Sequence, residues 1–306
     1  MSFRIARDES PVEALRRIAA HQVRRGLEEL AEPSLGAATQ IHQVRKRCKK
    51  LRGLLRLFRD SLGETYSLEN SAIRELARGL SASRDAQVML ATYDDLRTRF
   101  SEQLAGPAYD ALRSELTQFC QQRLEEDQHP PVAMDAAEHQ LRELAQRIAT
   151  WQLTGRRRNS KSAFATLAGG LAETYGRGLQ GLQVAREAAT PEAFHEWRKR
   201  VKYHAYHCRL LHNIWPAVLK CRAAAAMKLS DQLGADHDLA VLRGALEELA
   251  TAQATTAEVE TVVRLIDRRR QKLERKSFQA GERLYAETPK RLVRRFRAYW
   301  HAWRPT

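Results

Sequence analysis

Apolar residues recur along the chain at intervals of three and four residues, the spacing that gives an α-helix one apolar face. The clearest example lies near the C-terminus, in a stripe formed by Leu292, Phe296, Tyr299, Trp300 and Trp303. The sequence has no sustained alternation of apolar and polar residues with β-branched enrichment, the pattern typical of strands. It therefore predicts an all-α fold of antiparallel helices joined mostly by short turns.

Capping and helix-breaking residues predict where the helices begin and end. Ser10-Pro11-Val12-Glu13 has the form of a capping box with proline at the first helical position, and Thr190-Pro191 is a start signal of the same type. Clusters of glycine, proline and polar residues predict further breaks. These breaks lie near Ala31–Ala38, Gly63–Tyr66, Gly106-Pro107, Gln128–Met134, Gly155–Ser160, Pro216 and Thr288-Pro289.

A motif recurs at a constant offset of 153 residues: the stretch 42-HQVRKRCKKLRGLLRLFR-59 begins in the same way as 195-HEWRKRVKYHAYHCRLL-211. Further pairs at this offset are Arg24 with Arg177, Gly63 with Pro216, and Asp85 with Asp238. An ungapped match over this distance favours an internal duplication. It predicts two pseudo-symmetric helical bundles, residues 1–153 and 163–306, joined by a polar and arginine-rich linker at 154–162.

On a helix, each copy of the motif places apolar residues on one side and cations on the other. The predicted core sides are Val44, Leu51, Leu55 and Phe58 in the first copy, and Trp197, Val201, His204, Cys208 and Leu211 in the second. We call the opposite sides the two cationic strips. The first strip comprises His42, Arg45, Lys46, Lys49, Arg52 and Arg56, and the second comprises His195, Arg198, Lys199, Lys202, Tyr206 and Arg209.

A solvated helix face is the simplest interpretation of such strips, but two features favour a binding surface. Like charges at i, i+3 and i+4 each destabilise a helix by a few tenths of a kcal/mol, and the first strip has no acid to relieve them. The pattern also appears twice, with histidine leading both times. Arginine and lysine suit phosphate, and one helix face can contact several successive phosphates of a linear polymer.

The composition agrees with a polyanionic partner. The formal net charge is +15 and the sequence pI is about 10.0, which favours nucleic acid, an anionic membrane or a phosphate polymer. No apolar run reaches the roughly 18 to 20 residues of a membrane span, and we see no signal peptide at the N-terminus. The four cysteines are scattered, so we expect a reduced, cytoplasmic protein.

The pattern H-x-x-R-K-x-x-K occurs at His42–Lys49 and His195–Lys202, and each copy is followed by an L-x-x-x-x-D segment at Leu80–Asp85 and Leu233–Asp238. In these motifs the chain resembles the CHAD domain, the conserved histidine α-helical domain, over about residues 10–303. The resemblance implies two bundles facing each other across a basic central cavity. It also implies binding of inorganic polyphosphate and, in bacteria, association with polyphosphate granules.

The motif positions, together with their neighbours on the strips, are the polyphosphate ligands that the resemblance implies. We assign a second tier of ligands to Arg24, Arg84, Arg177 and Tyr206. Asp85 and Asp238 are expected either to cap a helix or to orient a basic residue of a strip. The second strip is less basic, since Ala205 and Tyr203 stand at the positions of Arg52 and Lys50.

The sequence leaves alternatives open. The charge alone would permit a nucleic-acid-binding protein, a scaffold for an acidic partner, or a metal-dependent phosphohydrolase. His204, His207 and His212 share a region, but its many cations would repel a divalent ion. No Ser-His-Asp spacing, phosphate-cradling glycine loop or H-E-x-x-H motif occurs. We therefore expect a non-enzymatic binding module without metal or cofactor, and the oligomeric state is not predicted.

Overall fold

The structure is a computed structural model that describes residues 3–80, 82–126, 134–154, 163–252 and 256–304. Within these ranges the chain forms twelve α-helices and one short 3-10 helix, and no strand, which confirms the all-α prediction. The α-helices are α1 (Pro11–Leu30), α2 (Ala37–Leu57), α3 (Arg59–Leu62), α4 (Glu64–Gly79), α5 (Ala82–Arg99), α6 (Pro107–Glu126), α7 (Met134–Thr150), α8 (Ala165–Ala188), α9 (Pro191–Leu210), α10 (Pro216–Ala252), α11 (Thr256–Leu284) and α12 (Pro289–Trp303). None of the described helices has the length and apolar character needed to cross a bilayer.

Side-chain caps fix several helix starts where the sequence predicted them. Ser10 and Glu13 form the expected capping box, with the Ser10 amide donating to the Glu13 carboxylate at 2.7 Å. Thr190 and Thr288 cap α9 and α12 through their hydroxyl oxygens. One helix end was not predicted: α4 ends at Gly79, whereas α10 continues through the corresponding Gln232.

Two clusters of buried residues hold the helices together. The larger combines α1, α2, α4, α7, α8, α9, α12 and the first half of α10. The smaller combines α5, α6, the second half of α10 and the first half of α11. Both clusters therefore contain helices from both of the predicted halves of the chain, and α10 runs through both.

Glycines in α8 let the helix approach its neighbours closely. A Cβ on Gly170 would lie 2.2 Å from the carbonyl oxygen of Arg56, and a Cβ on Gly178 would lie 2.2 Å from the hydroxyl of Tyr285. Glycine at these two positions thus serves close helix contact, at some cost in helix propensity. The contact at Gly170 seats α8 against the C-terminal end of α2.

Candidate functional site

The predicted core sides of both motif helices are buried. Val44, Leu51 and Phe58 are fully buried in the first copy, and Trp197 and Cys208 are fully buried in the second. The opposite sides carry the strips. On the strips, His42, Lys46, Lys199 and Arg209 are exposed, while Arg45, Lys49, Arg52, Arg56, His195, Arg198 and Lys202 are half-buried and Tyr206 is buried.

The two helices cross each other at Gly53. A Cβ on this residue would lie 2.9 Å from the ring of Tyr206, so glycine is what allows the close approach. The imidazole of His207 donates from Nε2 to the Gly53 carbonyl at 3.1 Å, and burial lowers the pKa of His207 to about 3, so the ring is neutral at neutral pH. The two motif helices are thus in direct contact at this crossing.

The order of contacts shows that α2 and α9 cross in opposite directions. On one side of Gly53, the guanidinium of Arg56 lies over the ring of Tyr203 at 4.1 Å. On the other side, Lys50 and Arg209 line the same cavity. The N-terminal parts of the two strips, which contain His42 and His195, therefore run away from the crossing in opposite directions.

We call the cavity beside Lys50 and Arg209 the basic cavity. Its volume is about 540 Å³. Cations from the N-terminal segment, α2, α9 and α10 line it, and none of its lining residues in the described part of the chain carries a carboxylate. Its principal lining residues are Phe3, Arg4, Lys50, Arg209, His212 and Lys220.

Burial and, after it, neighbouring like charges perturb the pKa of Lys50. Partial burial, followed by the charges of Arg47, Lys46 and Arg209, lowers the pKa of Lys50 from its ordinary value to about 8, and Glu29 opposes this only weakly. The ammonium lies 5.4 Å from the centre of the Phe3 ring. Lys50 is thus held among cations in a place where an anion would relieve the repulsion.

The family model of the CHAD domain matches residues 13–247 of the 306-residue chain. The chain belongs to the CHAD domain family. The matched part contains α2, α9 and nearly all of α10, whereas α11 and α12 lie beyond it. No curated protein matches the chain.

Two arginines tie the strips of this CHAD domain to neighbouring helices. Arg45 donates to the carbonyl of Ala77 in α4 at 2.8 Å, and Arg198 donates to the carbonyl of Ser230 in α10 at 3.3 Å. The two donors, Arg45 and Arg198, are 153 residues apart in the sequence, and so are the two acceptors, Ala77 and Ser230. Both side chains consequently act as structural ties, and less of their guanidinium remains available for a ligand.

One amide orders two further strip arginines. The side-chain oxygen of Asn70 in α4 accepts from Nε of Arg52 at 3.1 Å and from Nη1 of Arg56 at 2.8 Å. Asn70 was not predicted as a site residue. It holds two cations side by side without neutralising either of them.

The leading histidine of the second strip is neutral at neutral pH. The His195 ring lies 4.3 Å from the ring of His237. Burial, followed by the nearby His237, Lys199 and Arg198, lowers the pKa of His195 to about 4. In this state His195 offers a hydrogen bond and no charge.

The aspartate predicted as a cap or an orienting group does not cap a helix. Asp238 lies in the middle of α10, because the helix continues where a start was expected. Asp236 is instead the buried acid of this region, and it accepts from Nε of Arg270 at 3.0 Å. The side chains of Arg84 and Asp85 lie outside the described residues.

Acids compensate the second-tier arginines and part of the second strip. Arg24 pairs with Glu28 at 3.6 Å and Arg177 pairs with Glu173 at 2.6 Å. Lys199 pairs with Glu196 at 2.5 Å. Among the described residues, no group of three or more His, Cys, Asp and Glu side chains is arranged to hold a metal ion.

Most residues of the basic cavity were not predicted from the sequence. The Ile5 amide donates to the Leu210 carbonyl at 2.9 Å, and the Asn213 side chain donates to the Ile5 carbonyl at 2.9 Å. These bonds fix the N-terminal segment over the end of α9, where Arg4 reaches the cavity. The periodicity of apolar residues does not indicate where the N-terminal segment lies. Lys50 lies within the first motif but was not predicted as a ligand.

Proposed function

We propose that this CHAD domain is a non-enzymatic protein that binds inorganic polyphosphate and associates with polyphosphate granules. CHAD domains are associated with polyphosphate binding in general. The observation that carries the proposal for this chain is the basic cavity, where cations from four segments converge and no described lining residue carries a carboxylate. Burial, and after it the charges of Arg47, Lys46 and Arg209, lowers the pKa of Lys50 in this cavity to about 8. A phosphate placed there would remove a repulsion that the free protein sustains.

The polymer would occupy the basic cavity and continue along the strips. Because the strips leave the crossing in opposite directions, a linear chain can contact both without a sharp bend. Lysines act as point charges and the exposed Arg209 can contact phosphate oxygens in pairs. Affinity then comes from many charge pairs and from release of counterions.

An internal duplication explains why the contacts recur. Arg45 with Ala77 and Arg198 with Ser230 are the same contact at the same offset. At the crossing, Arg56 lies over the ring of Tyr203. Arg209 corresponds to Arg56 and Lys50 corresponds to Tyr203 at the same offset, and these two residues line the basic cavity together. We infer an approximate two-fold axis through Gly53 and Tyr206. Under this axis the basic cavity and the region around Arg56 and Tyr203 are related positions, and in the second region Arg59 and Arg177 both pair with Glu173.

The test is polyphosphate binding by a variant with Lys50→Gln, Arg209→Gln and Lys220→Gln across a salt series. For nucleic acids each neutralised phosphate adds nearly one unit to the slope of log K against log salt, so by analogy we expect the slope to fall by about two to three. The control variant carries Arg25→Gln, Arg97→Gln and Arg142→Gln. These three arginines are already paired with carboxylates, and the change in net charge is the same. An equal loss in both variants would refute the site.

A single-stranded nucleic acid would use the strips differently. Such ligands gain affinity by stacking bases on exposed aromatic rings, but Tyr203 and Tyr206 are only 7% and 3% exposed. We therefore expect polyphosphate to outcompete single-stranded RNA at equal phosphate concentration. Displacement of bound polyphosphate by the RNA would favour the nucleic-acid alternative.

A further inference from the structure

A second cationic surface lies on α11, beyond the residues that the family model matches. We call it the outer stripe. Its six cations are exposed on one side of the helix, within an arc of about 120° at 100° per residue. They are Arg264, Arg268, Lys272, Arg275, Lys276 and Arg283.

The acids of α11 do not neutralise the outer stripe. Asp267 pairs with Arg243 of α10 at 3.3 Å, and Glu274 pairs with Arg270 at 3.4 Å. The two exposed acids of this side, Glu260 and Glu282, lie at its ends, and Glu282 is paired with Arg186 at 2.6 Å.

Within the part of the chain that the structure describes, none of the six cations has an ion pair with a carboxylate. Several of them are four residues apart, a spacing at which like charges destabilise a helix. The helix thus retains an uncompensated repulsion over a length of about 28 Å at 1.5 Å per residue.

The shape of the outer stripe differs from that of the basic cavity. Arg264, Arg268 and Arg275 lie within about 40° of one line along the helix axis, on the exposed side of α11. A flexible polymer would lose conformational entropy on being straightened along such a line. A stiff polyanion has already lost that freedom: duplex DNA has a persistence length of about 50 nm.

We propose that the outer stripe binds the phosphate backbone of double-helical nucleic acid. Four of its six cations are arginines, which match phosphate oxygens in pairs. It offers no exposed aromatic ring for the stacking that single strands use, since Phe278 of α11 is half-buried and packs against Trp197 at 5.9 Å. Backbone contacts of this kind carry no sequence information, so binding is independent of base sequence.

The outer stripe and the basic cavity lie on different segments of the chain, so either site can function without the other. The basic cavity uses the N-terminal segment, α2, α9 and α10, whereas the outer stripe uses α11 alone. If both sites function, one molecule can hold a polyphosphate chain and a duplex together.

The test compares duplex binding by the native protein with that of a variant carrying Arg264→Gln, Arg268→Gln and Arg275→Gln. The probe is a duplex of about 20 base pairs, which at 3.4 Å per pair exceeds the stripe, titrated between about 50 and 200 mM salt. Three lost contacts should reduce the slope of log K against log salt by about two to three and weaken binding at least tenfold. Polyphosphate affinity should change by less than about twofold, because screening isolates distant charges.

The control variant with Arg25→Gln, Arg97→Gln and Arg142→Gln should keep most of its duplex affinity, since those arginines are scattered and paired with carboxylates. Equal weakening by this control would show that net charge alone attracts the duplex, which overturns the proposal. Loss of duplex binding in the Lys50, Arg209 and Lys220 variant would place the duplex in the basic cavity. If single-stranded RNA with the same number of phosphates bound equally tightly, the outer stripe would not select a stiff duplex, and the proposal would be overturned.

Discussion

Polyphosphate affinity should fall as the pH rises above neutrality, because Lys50 loses its proton in the free protein within an accessible range. In the free protein its pKa is about 8. A bound phosphate would counter the burial and the charge of Arg47, Lys46 and Arg209 that lower this pKa. The complex then holds the proton to higher pH than the free protein, so affinity is greatest below the free pKa and is lost as the pH rises through it.

The size of the effect follows from the two pKa values. If the bound pKa returns to the ordinary 10.5, linkage predicts a roughly tenfold loss of affinity between about pH 7 and pH 9. Solvent screens the exposed part of the ammonium and reduces this. We therefore expect a loss of about threefold to tenfold, with little change at lower pH until His195 titrates.

The assay is the dissociation constant of long-chain polyphosphate at about pH 7, 8 and 9 and constant ionic strength, with the Lys50→Arg variant as control. Arginine stays protonated throughout this range, so the control should bind without the pH dependence. The Lys50→Gln variant should bind more weakly at every pH. The same pH profile in the native protein and in Lys50→Arg would show that Lys50 does not titrate against the polymer, and the site would have to lie elsewhere.

Three further predictions concern packing, order and chemistry. Gly170→Ala should lower the free energy of unfolding, measured in urea, by about 2 kcal/mol, because the new Cβ would lie 2.2 Å from the Arg56 carbonyl oxygen. Gly244→Ala should raise the free energy of unfolding by about 1 kcal/mol, because its Cβ would meet nothing within 4 Å. Asn70→Leu should release Arg52 and weaken polyphosphate binding about twofold to tenfold in calorimetry without changing helicity by circular dichroism. Native protein with Mg²⁺ or Mn²⁺ should release no phosphate from polyphosphate.

Each of these has a clear contrary result. Equal stability changes at the two glycines would mean that α8 does not approach α2 as closely as described. Unaltered binding after Asn70→Leu would mean that the arginines it orders do not contact the polymer. Metal-dependent release of phosphate would replace the binding module with a hydrolase.

Local periodicity was sufficient to predict the sides of α2 and α9. Burial of Val44 or Trp197 depends mainly on which side of its own helix the residue occupies, and this can be read from spacing alone. Capping chemistry is equally local, which is why the start of α1 at Ser10 was predicted correctly. The end of α4 was missed because glycine at position 79 costs helix propensity that Gln232 does not, a difference that the match between the two copies concealed.

The basic cavity could not be predicted because its lining comes from separate parts of the chain. Arg4 precedes the first helix, and the hydrogen bonds of Ile5 help to hold its segment beside the site. Lys220 belongs to α10, and no spacing rule connects it with Lys50. Of the two roles predicted for Asp238, the helix cap was wrong, since an aspartate inside an unbroken helix cannot cap it. The other role, orienting a basic residue of the strip, stays a prediction.

The unbroken length of α10 has a mechanical consequence. Its 37 residues form a rod of about 55 Å that is embedded in one buried cluster near Lys220 and in the other near Leu246. A tilt of about 5° at the cavity end would swing the far end by about 5 Å, given that length. If a ligand on Lys220 tilted α10 as a rigid body, the contacts of α10 with the buried cluster of α5, α6 and α11 would therefore move as well.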